Sequence, residues 1–170
     1  LQTAPATRVA IAECLGLEPG YIATGKLVAA AKKCGFQFVF DTNIAADLCI
    51  MEEGTEFLGR LATGGPFPMF TSCCPGWINL LEKLYPEFIP NVSSCRSPQM
   101  MLGPLIKTYW AEIMNLDPKD IFQVSMMPCT AKKDEVQRPQ MLRKLPDGTM
   151  IKDVDIVLTT RELGRLFKQC

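Results

Sequence analysis

Two short apolar runs, Pro68 to Ser72 and Ile121 to Met127, each stop at a cysteine with a proline beside it, and that repeated junction constrains the fold most. The first run leads into Cys73-Cys74-Pro75-Gly76 and then a helix from about Pro75 to Tyr85. A proline in that first turn costs nothing, because the N–H it lacks has no partner inside a helix. The second run ends in Pro128-Cys129. Elsewhere, Val9, Ile11, Ala12 and Leu15 give a helix over Thr7 to Leu17, closed by Gly16 and Pro19-Gly20. Thr24 reads as the N-cap of a helix over Lys26 to Cys34 with Gly35 as its stop, and Phe36 to Phe40 as a buried strand. Ile44, Leu48, Met51, Leu58 and Leu61 form an apolar stripe on a helix ending near Gly64-Gly65. A long helix runs from about Ser97 to Asn115. Pro146-Asp147-Gly148 turns the chain towards a strand over Val154 to Thr159, and a helix over Arg161 to Lys168 closes it. The alternation predicts an α/β fold, a mostly parallel sheet flanked by helices, with sites gathered beyond the strand carboxyl ends.

The residue inventory narrows the chemistry. The chain has 170 residues, 48% of them hydrophobic, which is one domain's length with enough apolar material for a core. Eighteen basic and eighteen acidic residues cancel, so the totals supply no footprint for nucleic acid. No apolar run is long enough for a membrane-spanning segment. Histidine is absent, which removes Ser-His-Asp and Cys-His nucleophile systems and histidine metal sites. Eight cysteines are many for a core of this size, since disulfide staples belong mainly to small secreted domains, so reduced thiols with some metal ligands fit better.

Cys73 and Cys74 lie at a predicted helix N-terminus, where backbone N–H groups and the helix dipole favour a thiolate. Neighbouring side chains on extended backbone point opposite ways, so the two sulfurs can serve two roles. Cys129 is a third candidate ligand, followed closely by Lys132, whose ammonium offsets an anionic cluster. Cys14, Cys34, Cys49 and Cys95 have no ligand spacing and read as small core residues. Glu53, Glu56 and Arg60 are spaced i, i+3 and i+7 on one helix face, which lines carboxylates into a proton path or, more plainly, makes a solvated face with one Glu56–Arg60 pair.

Thr71-Ser72-Cys73-Cys74-Pro75-Gly76-Trp77 and Met127-Pro128-Cys129-Thr130-Ala131-Lys132-Lys133 resemble the first two signatures of the iron-only (di-iron) hydrogenases. Gln2-Thr3-Ala4-Pro5-Ala6 and Ile50-Met51-Glu52-Glu53-Gly54 resemble further recurrent segments of that family's catalytic domain. The resemblance implies an oxidoreductase that reversibly reduces protons to dihydrogen at the H-cluster. This is a 4Fe-4S cubane joined to a di-iron unit bearing carbon monoxide, cyanide and a bridging dithiolate with a basic amine. It further implies that Cys74 and Cys129 are cubane ligands and that Cys73 passes protons to the bridging amine. Glu53, Ser93 and Glu56 would continue that relay to the surface, with Arg60 helping at its outer end. Lys132 would hold a cyanide, while Ala4, Pro5, Gln99 and Met127 would wall in the remaining diatomic ligands. Ala6 departs from members that carry a serine there for the other cyanide. The implied partners are ferredoxin or another small electron carrier and maturation proteins for the di-iron unit, and the implied compartment is the cytoplasm, with the periplasm known among relatives.

The family's third signature, a Cys-x-x-x-Cys segment, does not occur, and Arg161 to Gln169 resembles the helix well before it. Residues 1–170 therefore read as the N-terminal portion of the catalytic domain, truncated at both ends and inactive alone. The rival reading is a non-catalytic iron-sulfur protein of the same superfamily, acting in cluster assembly or delivery. A sensory relative and a disulfide-rich binding module rank below it.

Overall fold

A computed structural model describes all 170 residues. In chain order it contains β1 (Gln2–Thr3), α1 (Thr7–Cys14), α2 (Thr24–Lys33), β2 (Phe40–Asp41), α3 (Asn43–Thr63), α4 (Pro75–Leu84), α5 (Pro98–Leu105), α6 (Ala111–Ile113), β3 (Val124–Met126), α7 (Ala131–Glu135), β4 (Leu142–Lys144), β5 (Met150–Lys152), β6 (Ile156–Leu158) and α8 (Thr160–Gln169). Four strands form one parallel sheet in the order β2-β1-β3-β6, and β4 and β5 make a separate antiparallel pair. The α/β architecture with a parallel sheet is thus the one the alternation predicts.

The sheet is covered on both sides, as parallel sheets require. Strand β3 is buried at all three positions, and its side chains alternate. Val124 and Met126 join Ile11, Ala12, Leu27, Ala31 and Leu163 in a core against α1, α2 and α8. Ser125 points the other way and donates to the Gln99 Oε1 on α5 at 2.7 Å. A second cluster of Ala4, Met100, Met127, Val136, Val154 and Val157 continues that side, and Ala45 with Leu102 and Ile106 joins α3 to α5.

Local chemistry explains the helix ends. Ser97 accepts from the Met100 N–H at the start of α5, and Gly64 ends α3 at φ 69°, a left-handed conformation that a glycine adopts without a Cβ penalty. Thr159 and Glu162 form a reciprocal capping box on α8. The helix predicted over Ser97 to Asn115 is broken into α5, a π turn over Ile106–Trp110, and α6. The π turn follows Pro104, whose ring removes an amide donor from the ladder. No helix is long and apolar enough to cross a membrane.

Several elements differ from their sequence expectation. Gln2–Thr3, where the sequence announced no strand, is the strand between β2 and β3. Of Phe36 to Phe40 only Phe40 enters the sheet, and Phe38 is exposed rather than buried. Pro68 to Ser72 makes only an isolated parallel bridge, Phe70 to Val92, so the Cys73-Cys74 corner does not end a strand of the main sheet. Thr24 is the first residue of α2, preceded by Ala23, and not its cap. Pro146-Asp147-Gly148 turns β4 into β5, a hairpin the apolar pattern did not announce. On α3, Ile44, Met51, Leu58 and Leu61 are exposed, so the apolar stripe faces outward.

Candidate metal and proton-transfer site

Cys74 is the N-cap of α4, its Sγ accepting from the Trp77 N–H at 3.5 Å, with Pro75 in the first turn. This sets the sulfur at the positive end of the helix dipole. Cys129 stands in the loop between β3 and α7, its carbonyl accepting from the Lys132 N–H at 3.1 Å. Cys73, Cys74 and Cys129 are all exposed free thiols, and none of the eight cysteines is in a disulfide.

One side chain joins the two cysteine segments. The Lys132 Nζ donates to the Cys73 carbonyl at 2.8 Å and to Glu135 Oε2 at 2.9 Å. Glu135 is buried and also accepts from Gln99 Nε2 at 3.1 Å, so its charge is met by an ammonium and an amide. Gln99 is itself buried, and its two polar ends are committed to Ser125 and Glu135. The same side chain arrangement fixes Lys132 with one N–H of its three unclaimed.

Ala4 is buried at the carboxyl end of β1, where its N–H donates to the Met126 carbonyl at 3.0 Å, while the next residue, Pro5, is exposed. Met127 is buried just past β3 and its N–H donates to the Leu158 carbonyl at 2.9 Å. The ends of β1, β3 and β6 are thereby tied together, with Ala4 and Met127 in one apolar cluster. Ala6 is exposed and carries no polar group.

Glu56 and Arg60 pair at 2.6 Å, but their face of α3 is not solvated. It packs against the segment 91–94. Arg60 donates to the carbonyls of Asn91 at 3.0 Å and Val92 at 2.8 Å. Glu56 accepts from the Ser93 hydroxyl at 2.7 Å and the Ser94 N–H at 3.0 Å. Burial pushes the Glu56 carboxyl up, yet Ser93, Arg60 and Ser94 together outweigh it and hold the group below its ordinary value. Glu53, one turn earlier, is different: its Oε1 is buried with no hydrogen-bond partner.

Three residues of consequence were not singled out from the sequence. Glu135 follows Lys132 by three residues, a spacing that announces an ion pair on one helix face. Cys49, taken for plain core, faces Cys95 with the sulfurs 3.8 Å apart. Glu53 completes this group, all three ligand atoms lying within 4.8 Å of one another. The Cys49–Glu53 spacing of one helical turn was legible; Cys95 was not.

A 4Fe-4S cubane takes four thiolates. The exposed Cys74 and Cys129, one of them at a helix N-terminus, belong to the two segments that the Lys132 ammonium joins, and their thiols suit half of that donor set.

Comparison with known proteins gives the chain a family. The whole chain, residues 1–170, matches the family model described as "Iron only hydrogenase large subunit, C-terminal domain". Iron hydrogenase 1 of Clostridium pasteurianum is 48% identical over 97% of the chain, which spans 28% of that relative. An apo [FeFe]-hydrogenase HydA1 from Chlamydomonas reinhardtii superposes with a TM-score of 0.92 at 51% identity, covering 99% of the chain and 42% of the other. Cytosolic iron-sulfur assembly component 3 of Pongo abelii is 36% identical over 99% of the chain and 36% of its own length. The chain spans less than half the length of each of these relatives. It belongs to the family formed by the C-terminal domain of iron-only hydrogenase large subunits.

Proposed function

We propose that these residues form the part of a hydrogenase catalytic domain that holds one side of the H-cluster and brings protons to it. When bound, that group supplies the iron at which protons and electrons interconvert with dihydrogen. Cys74 and Cys129 ligate the cubane. Cys73 carries the proton nearest the reacting atoms, and Glu53, Ser93 and Glu56 pass protons between it and the surface, with Arg60 holding Glu56 at the outer end. The remaining Lys132 N–H is turned to an anionic ligand, and Ala4, Pro5, Gln99 and Met127 form the wall around it. Electrons arrive from ferredoxin or a similar small carrier, and the di-iron unit is delivered by maturation proteins, in the cytoplasm or periplasm.

The observation that carries this reading is the Lys132 ammonium bonded to the carbonyl of Cys73, 59 residues earlier, which joins the two cysteine segments. The assembly-factor relative favours a second reading, cluster assembly or delivery without turnover. A delivery protein needs no proton path, and the Ser93–Glu56–Arg60 network weighs for the enzyme. The test uses the longer protein containing this segment. Cys73→Ser and Glu53→Gln should each slow hydrogen evolution by about 100-fold or more while iron content stays constant, as expected for lost acid–base groups. Cys74→Ser and Cys129→Ser should instead lower iron content. Full hydrogen evolution by Cys73→Ser, or wild-type iron in both ligand variants, refutes the proposal.

A further inference from the structure

The Cys49, Glu53 and Cys95 cluster is held from two independent elements. Cys49 is buried on α3, one turn before Glu53. Cys95 lies in the loop before α5, its N–H bonded to the Ser93 Oγ at 3.1 Å and its carbonyl to the Ser72 hydroxyl. Its sulfur therefore has little freedom to move away from Cys49.

The separation of the sulfurs decides between two uses of such a pair. Two thiolates on one tetrahedral zinc, each at about 2.3 Å from it, stand about 3.8 Å apart. The observed distance is 3.8 Å. A disulfide needs about 2.05 Å, so the sulfurs would have to close by nearly 2 Å, while a metal needs neither to move. The third donor points the same way. Glu53 Oε1 is buried without a partner, a costly state for a carboxylate oxygen that a cation would relieve. Arg96, the nearest basic residue in the chain to Cys95, does not fill that role, because its guanidinium is turned to Asp153 at 3.4 Å and the Gln140 carbonyl at 2.9 Å. Cys95 also borders an open groove of about 730 Å³, lined in addition by Glu52, Glu56 and Ser94, which gives ions and water a route in.

We infer that Cys49, Cys95 and Glu53 bind a zinc-type divalent cation, with a water from the groove as fourth ligand. Burial pushes both thiols up, Cys95 to about 12, so the metal-free pair is neutral. Binding releases two protons, and the filled site carries one net negative charge from two thiolates and a carboxylate. Its consequence for turnover rests on the proton-relay reading above: a cation on Glu53 occupies the carboxylate through which protons would pass.

The site is tested in the anaerobic, reduced chain with Cys73, Cys74, Cys129 and Cys170 all replaced by serine, which removes the exposed thiols. Zn²⁺ titrated against a chromophoric chelator should bind one per chain. Adding Cys49→Ser or Cys95→Ser should weaken it by more than about 100-fold, beyond the loss seen on removing a mere outer partner of a metal ligand, and Glu53→Gln by about tenfold. X-ray absorption at the zinc edge of the parent variant guards against misfolding in the daughters, and should give two sulfurs at about 2.3 Å and oxygen at about 2.0 Å. No binding, binding indifferent to Cys49→Ser, or a first shell without two sulfurs overturns the inference. In the longer, active protein, Zn²⁺ should slow turnover and Cys49→Ser should remove that sensitivity. Zinc binding at this site with no effect on turnover leaves the metal site standing and refutes the relay role of Glu53.

Discussion

Glu56 shows how a single carboxylate is kept charged inside a packed helix face. It meets the Arg60 guanidinium at 2.6 Å, the Ser93 hydroxyl at 2.7 Å and the Ser94 N–H at 3.0 Å. Because its folded-state pKa is lowered from the ordinary 4.5, its charge contributes stability that is fully present above that value and is lost as pH falls through the lower, folded one. Urea denaturation of Glu56→Gln should therefore show reduced stability at neutral pH, with the difference from wild type shrinking as pH falls below 4.5. A difference that stays constant into acid would show that the charge contributes nothing. At this scale much was readable in advance. The spacing of Glu53, Glu56 and Arg60 already placed them on one face of a helix. It did not reveal the segment 91–94 that covers them, because chain proximity across 37 residues leaves no periodic trace. Ser93 drew notice only through family resemblance, and the Cys49–Cys95 contact, 46 residues apart, had no signal at all.

Helix α8 lies along α1 at a close approach that glycine permits. A Cβ on Gly164 would stand 2.8 Å from the Cys14 Cβ, below any normal contact, and both atoms belong to packed helices. Gly164→Ala should destabilise the chain by about 1–3 kcal/mol through forced separation of the two helices, even though alanine is the better helix former. Thermal unfolding at neutral pH measures it, and an unchanged or raised midpoint would mean the seam can open freely. The longer helices were legible because each spans enough residues for periodicity and ends in recognisable chemistry, as Gly64 and the Ser97-Pro98 start illustrate, whereas the five residues of α7 left no such trace. The strands were legible only in part: Ile121 to Met127 and Val154 to Thr159 do contain β3 and β6, but the main-sheet strands are two or three residues long, too short for alternation to set their bounds, and β1 left no signal. Phe36 to Phe40 and Pro68 to Ser72 looked like strands because they are apolar, yet pairing depends on a neighbour's backbone and not on composition.

For the molecule as a whole, the outward apolar stripe of α3 and the exposed Cys73, Cys74 and Cys129 describe surfaces with chemistry left to satisfy. The H-cluster cubane calls for four thiolates, and the proposed ligands here are two. These 170 residues alone, given iron, sulfide and the di-iron unit, should evolve no hydrogen above background, as read by gas chromatography with a reduced electron donor. Robust evolution would mean that the ligand set is complete without further chain. The placement of β1 bears on how such a molecule is made. Gln2 pairs with Phe40 on one side and with Ser125 on the other. A ribosome adding roughly 5–20 residues per second leaves the middle strand waiting on the order of ten seconds for its second neighbour. Through that interval the sheet is open at its centre, and the nascent chain is at its most vulnerable to capture by other chains.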